Sequence, residues 1–152
     1  RQSAQPGQED PDVDALLPAH RLNDLLGQAD YVVIAVPSTP ATHHLIGGAQ
    51  LSAMKPTAFL INIARGAIVD EVALVAALHA GTIAGAGLDV FESEPLPAES
   101  PLWSMENVIL SPHISGATDR YSQRFTDLLL ENLAHWRAGE VLRNVVDPAR
   151  GY

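Results

Sequence analysis

Three side chains in this sequence could share one reaction: Arg65, Glu94 and His113. A guanidinium can hold a carboxylate through two parallel hydrogen bonds and polarise a neighbouring carbonyl. An imidazolium can deliver a proton to the alkoxide that forms when that carbonyl is reduced. A carboxylate beside the imidazole favours its protonated form and selects its tautomer. No side chain supplies a hydride, so such a reduction also needs a cofactor. Taken singly, each residue has a plainer role. Arg65 reads as a solvated loop arginine, Glu94 in E-S-E-P as a turn carboxylate, and His113 as a hydrogen-bonded structural histidine. The chemistry requires that all three meet, so the question is what positions them.

Uninterrupted apolar, β-branched runs mark strands buried on both faces, as in parallel sheets. Tyr31 to Val36 and Ala58 to Ile63 are two such runs. Ala84 to Val90 is a third, and its glycines allow a neighbouring element to approach closely. Val108 to Leu110 is a short fourth, ended by Pro112. Between them the spacing predicts helices over His20 to Gln28 and Gly48 to Met54. Another is expected over Glu71 to Ala80, capped by Asp70 and stopped by Gly81. A final helix from Thr118 to Ala138 carries Tyr121, Phe125, Leu128, Leu129, Leu133 and Trp136 as an apolar stripe, expected to be core, and Gly139 ends it. Residues 1–18 read as a loop, or a truncated start, and residues 141–152 as a tail.

Strands alternating with helices predict an α/β fold with a parallel sheet. Functional residues in such sheets gather at the carboxyl ends of the strands. The segments Pro37 to Thr42, Ala64 to Gly66, Asp89 to Glu94 and Pro112 to Gly116 are therefore expected along one rim. This brings Arg65, Glu94 and His113 to three adjacent strand ends.

Composition narrows the classes. Nine Lys plus Arg stand against eighteen Asp plus Glu, a formal net charge of −9. An acidic chain repels nucleic-acid phosphates and anionic membranes, and no basic patch offsets this. Without cysteine there are no disulfides or thiolate metal sites. His43 and His44 are adjacent and, on a strand, would face opposite ways, so no metal pair is expected. His20, His79 and His135 are expected on helix surfaces. With no signal peptide and no apolar run of membrane length, a soluble cytoplasmic protein is expected.

Four segments then carry a resemblance. N-I-A-R-G-A-I-V-D (Asn62 to Asp70), G-L-D-V-F-E-S-E-P (Gly87 to Pro95), S-P-H-I-S-G-A-T (Ser111 to Thr118) and V-P-S-T-P-A-T (Val36 to Thr42) resemble the D-isomer-specific 2-hydroxyacid dehydrogenases. They occur in the family's order, and the likeness runs from about Leu22 to the end of the chain. It is nearest to the glyoxylate and hydroxypyruvate reductase-like branch. The resemblance implies a Rossmann-type three-layer α/β/α domain, spanning residues 19–140, and NAD- or NADP-dependent, reversible reduction of a 2-keto acid. It implies His113 as acid and base, Glu94 as its partner, with Glu92 the weaker candidate, and Arg65 as the substrate clamp. Asp89 would hold the nicotinamide carboxamide. Val36, Pro37, Thr42, Ile63, Ala64 and Gly116 would line the dinucleotide, together with Arg65 and His113. Turn-capping roles for Asp89 and Thr42, and simple admission of the last helix at Gly116, stay open.

The sequence departs from the family in lacking the strand, G-x-G-x-x-G turn and helix that bind the pyrophosphate. Gly85 and Gly87 lie in a strand and are no substitute. The domain that would close over the rim is also absent, and with it the region that builds a homodimer. The chain thus reads as a fragment with little activity of its own, its tail meant for the missing domain and its first strand edge prone to self-association. Arg1 and Ser3 hint at a 2′-phosphate and so at NADP. Two other readings stay open: a nucleotide-binding interaction module, similar to the related corepressors, and an inactive fragment.

Overall fold

The computed structural model describes residues 12–149. Arg1 and Ser3 lie outside the described residues. The chain divides after Pro112 into two compact units, each treated by itself.

The first unit is built on a four-stranded, all-parallel sheet in the order β1-β2-β3-β4. The strands are β1 (Tyr31–Ile34), β2 (Phe59–Asn62), β3 (Gly85–Leu88) and β4 (Val108–Leu110). The helices are α1 (Leu22–Leu26), α2 (Gly48–Ala53) and α3 (Glu71–His79). Each expected strand and helix is present in the expected order, so the parallel α/β architecture stands. Strand side chains alternate between faces. Register puts Val32, Leu60 and Ala86 in one row, and Ile34, Asn62 and Leu88 in the next. That face packs on Leu26, Leu51, Leu74 and Leu78 from the helices to make the core. The opposite face presents Tyr31, Val33, Phe59 and Ile109 to solvent, with Tyr31 and Phe59 stacked at 5.8 Å between ring centroids.

The strands stop earlier than the apolar runs suggest. β1 ends at Ile34 and not at Val36, and β2 at Asn62 and not at Ile63. The cause lies in Asn62, 1% exposed. Its side chain accepts from Ala64 N and donates to the Arg65 carbonyl, which turns the backbone out of the ladder. Past Ile34, β1 then has no strand to pair with. All four ends, Ile34, Asn62, Leu88 and Leu110, sit side by side in one row. The loops after the strands therefore leave from one rim, as expected.

Local signals behave as read. Asp70 caps α3 by accepting from Ala73 N at 2.9 Å. Gly81, at φ 68°, ends the segment in the left-handed region where glycine carries no Cβ penalty. Gly85 accommodates a close approach, because a Cβ there would lie 2.5 Å from the Asn107 carbonyl oxygen and 2.8 Å from the Phe59 ring. Gly87 has no such crowding.

The second unit holds α4 (Tyr121–Ala138) and its tail. Thr118 to Arg120 precede the helix as a turn, with the Thr118 hydroxyl accepting from Arg120 N, so it starts three residues later than expected. Gly139, at φ 72°, closes it. The tail folds back on α4: Asn132 exchanges two hydrogen bonds with the Arg143 backbone, and Arg143 Nη1 reaches both Glu131 carboxylate oxygens. The apolar stripe is not core in this chain. Tyr121, Phe125, Leu129, Leu133 and Trp136 are exposed, and α4 has no buried residue. Helical spacing identifies an apolar face but not what covers it. Among the described residues no helix is long and apolar enough to cross a membrane.

The two faces of the sheet predict opposite responses. Leu60→Ala should cost about 2–5 kcal/mol, because it empties a fully buried site. Val33→Thr keeps a β-branched residue on the open face and should change stability by no more than about 0.5 kcal/mol. Urea unfolding followed by circular dichroism measures both. Equal losses would mean that the open face is covered in solution.

Candidate functional site

The rim is assembled from three loops of the first unit. The first, residues 35–47, follows β1. Thr42 shapes it, its hydroxyl donating to the Pro37 carbonyl at 2.7 Å and accepting from Thr39 N at 2.8 Å. The turn-capping role considered for Thr42 is therefore what its side chain performs here. Val36, Pro37 and His44 are exposed along the same loop.

The second loop, residues 63–70, follows β2 and carries Arg65. Asn62 wires its start, as described above. Arg65 is exposed, with Nη1 donating to the Ala64 carbonyl at 2.6 Å. Ile63 points outward while Ala64 is buried. The loop is stitched to the first one: His44 N donates to the Ala67 carbonyl, Ile46 N to Ile68, and Asp70 N to Ile46.

The third loop begins at Asp89 and carries Glu92 and Glu94. Asp89 is 3% exposed and accepts from the Ser111 hydroxyl at 2.6 Å. A buried carboxyl at a strand end is rare without a partner, and Ser111, one residue beyond β4, supplies one. Glu94 is exposed and accepts from Phe91 N at 3.1 Å. Glu92 N donates to the Glu71 carboxylate at the start of α3, and the Glu92 carboxylate meets His44 Nε2.

One contact locks the second and third loops together. A Cβ on Gly66 would lie 1.9 Å from both the carbonyl carbon and oxygen of Phe91, and 2.4 Å from Glu92 N. Only glycine lets these two backbones touch. Arg65 and the Phe91–Glu94 turn are thus held by adjoining peptide groups.

The structure therefore brings together the loops bearing Arg65, Asp89 and Glu94 within one unit. His113 opens the second unit, three residues past the end of β4, with its backbone at φ 55°. Gly116 belongs to that unit as well, and no atom lies within 4 Å of where its Cβ would sit. Sequence reasoning missed Asn62, Ser111 and the His44–Glu92 pair as parts of the rim. Asn62 had a signal, a polar residue at the end of an apolar run. The pair joins residues far apart in sequence, and spacing carries no trace of it. His43 and His44 are not on a strand at all. They stack at 4.1 Å in a turn, with His44 in the left-handed region.

The arrangement offers a guanidinium beside backbone carbonyl and amide groups, and a buried carboxyl one residue past a strand end. This suits a planar, polar ligand with an anionic group. Comparisons with known proteins give several matches. The family model of the D-isomer specific 2-hydroxyacid dehydrogenase NAD binding domain matches residues 3–115. A glyoxylate/hydroxypyruvate reductase B of Pectobacterium carotovorum is 51% identical over 127 residues, covering 84% of this chain and 40% of its own length. The chain therefore spans well under half of that curated relative. A D-isomer specific 2-hydroxyacid dehydrogenase of Xanthobacter autotrophicus, crystallised with NADPH and MES, matches with a TM-score of 0.82 at 44% identity, over 88% of this chain and 54% of that one. An NADPH-dependent glyoxylate/hydroxypyruvate reductase of Sinorhizobium meliloti, in complex with NADP and sulfate, matches with a TM-score of 0.84 at 31% identity, over 91% and 45%.

Two substitutions test the wiring. Gly66→Ala must push the Phe91 peptide away and should cost about 1–3 kcal/mol or more. Ser111→Ala removes a donor from buried Asp89 and should cost about 1–3 kcal/mol. Thermal unfolding reads both. A Gly66→Ala variant as stable as the parent would show that the two backbones do not touch.

Proposed function

The chain belongs to the D-isomer-specific 2-hydroxyacid dehydrogenase family, and from that premise we propose that it is the catalytic rim of an NAD(P)-dependent enzyme that reduces 2-keto acids to 2-hydroxy acids. Glyoxylate and hydroxypyruvate are the substrates the relatives' names favour. The observation that carries the reading is the Gly66 contact, which holds the Arg65 loop against the turn bearing Glu94.

Each residue has a defined task. Arg65 binds the substrate carboxylate through two hydrogen bonds and draws electron density from the carbonyl oxygen. His113 gives that oxygen a proton during reduction and takes it back during oxidation. Glu94 accepts from the other imidazole nitrogen and keeps the reacting nitrogen aimed at substrate. The task asks His113, in the second unit, to meet Arg65 and Glu94 in the working enzyme.

A nicotinamide cofactor, when bound, supplies the hydride. The residues present fit one end of it. Asp89 places a buried carboxyl at the end of β3, suited to accept from the carboxamide amine. The exposed backbone of Val36, Pro37 and Ile63, with Ala64, Thr42 and Gly116, would border the same ligand. The residues do not fit the pyrophosphate end. The sequence has no glycine-rich strand-to-helix turn, and Gly85 is filled by Phe59 and Asn107. Amides at a helix N-terminus normally hold that group. Binding of the whole cofactor, choice between NAD and NADP, closure of the site and pairing into a homodimer would call on residues other than those described for this rim. A binding-only module would have no need of all three reacting residues.

In an enzyme containing this chain, His113→Gln should lower keto-acid turnover at least about a hundredfold, the usual size of lost acid–base catalysis, while NAD(P)H affinity is retained. Steady-state assay and fluorescence titration measure the two. Unchanged turnover would remove His113 from the chemistry.

A further inference from the structure

We propose that His44 is a positioning residue, which holds the turn bearing Glu94 in place through Glu92. β1 and β3 are not neighbours in the sheet, since β2 lies between them. The loops that follow them nonetheless meet, where His44 Nε2 contacts the Glu92 carboxylate. His44 is also fixed to the intervening loop, its N–H donating to the Ala67 carbonyl at 2.9 Å. One residue thus ties all three rim loops.

The circuit closes on Glu94. Phe91 N donates to Glu94 Oε1, which coils residues 91–94 into a turn. Glu92, inside that turn, is held at two points, by His44 at its side chain and by the Glu71 carboxylate at its amide. Gly66 seats the Phe91–Glu92 peptide from below. His43, stacked on the His44 ring, restricts its rotation. His44 also keeps a left-handed φ of 50°, an uncommon conformation for a non-glycine residue.

The inference deepens the dehydrogenase reading and rests on it for its consequence, but not for its geometry. The two side chains are 39% and 34% exposed, so the pair should be worth a modest amount, enough for a roughly fivefold change in local opening.

Amide hydrogen exchange on the full chain tests the geometry. In His44→Ala, and equally in Glu92→Ala, the Phe91 and Glu92 amides should exchange about fivefold faster. The double variant should be no faster than either single one, and His44→Gln, which keeps a donor, should restore much of the protection. Amides in α3 should not change. Unaltered exchange at Phe91 and Glu92, or additive effects in the double variant, would overturn the proposal. In the NAD(P)-dependent enzyme, His44→Ala should lower kcat about fivefold with cofactor affinity unchanged, and a fall in cofactor affinity alone would overturn the positioning role. Altered exchange in an enzyme whose His113→Gln variant keeps full turnover would leave the tie standing and sink the dehydrogenase reading instead.

Discussion

A peptide group pressed against another peptide group organises this rim. At Gly66 the chain after β2 runs so near Phe91 that no side chain fits between them. The candidate residues Arg65 and Glu94 lie in the two loops that meet at that seam. Arg65 stands immediately before it, the Glu92 amide belongs to it, and Glu94 hydrogen-bonds back to the residue that forms it. The seam exists because β2 and β3 end in the same row, and because Asn62 bends the chain sideways as soon as the ladder stops. A buried amide side chain and an absent Cβ thus convert a regular sheet edge into a shaped surface.

Such a surface suits a reaction in which charge develops on one oxygen atom. Preorganised donors stabilise that charge without rearranging as the reaction proceeds. The loops of the first unit are held by backbone hydrogen bonds, one buried carboxyl–hydroxyl pair and the His44–Glu92 contact. The acidic residues Asp89, Glu92, Glu94, Asp70 and Glu71 crowd the same edge. Arg65 stands among them as an exposed guanidinium.

Much of this was legible in the sequence. Tyr31 to Val36 and Ala58 to Ile63 announced strands because β-branched apolar runs have few other uses. Asp70 and Gly81 bracketed α3 through a cap and a left-handed stop. The strand ends were less legible, since Val36 and Ile63 are as apolar as their neighbours and only pairing decides where a ladder stops. The α4 stripe showed its period but not its exposure. Asp89 was visible as a candidate, but the Ser111 hydroxyl that meets it was not, and neither was the tie between His44 and Glu92. These depend on segments brought together by the sheet, and a linear pattern carries no record of them.

The central claim is that Arg65 and His113 act on one substrate. A crystal structure of the NADPH-bound enzyme containing this chain, with oxalate in place of the keto acid, tests it most directly. The account predicts an oxalate carboxylate paired with the Arg65 guanidinium, and the His113 imidazole within hydrogen-bonding reach of the oxygen that would be reduced. Oxalate bound away from Arg65, or His113 turned from it with no partner in Glu94, would contradict it.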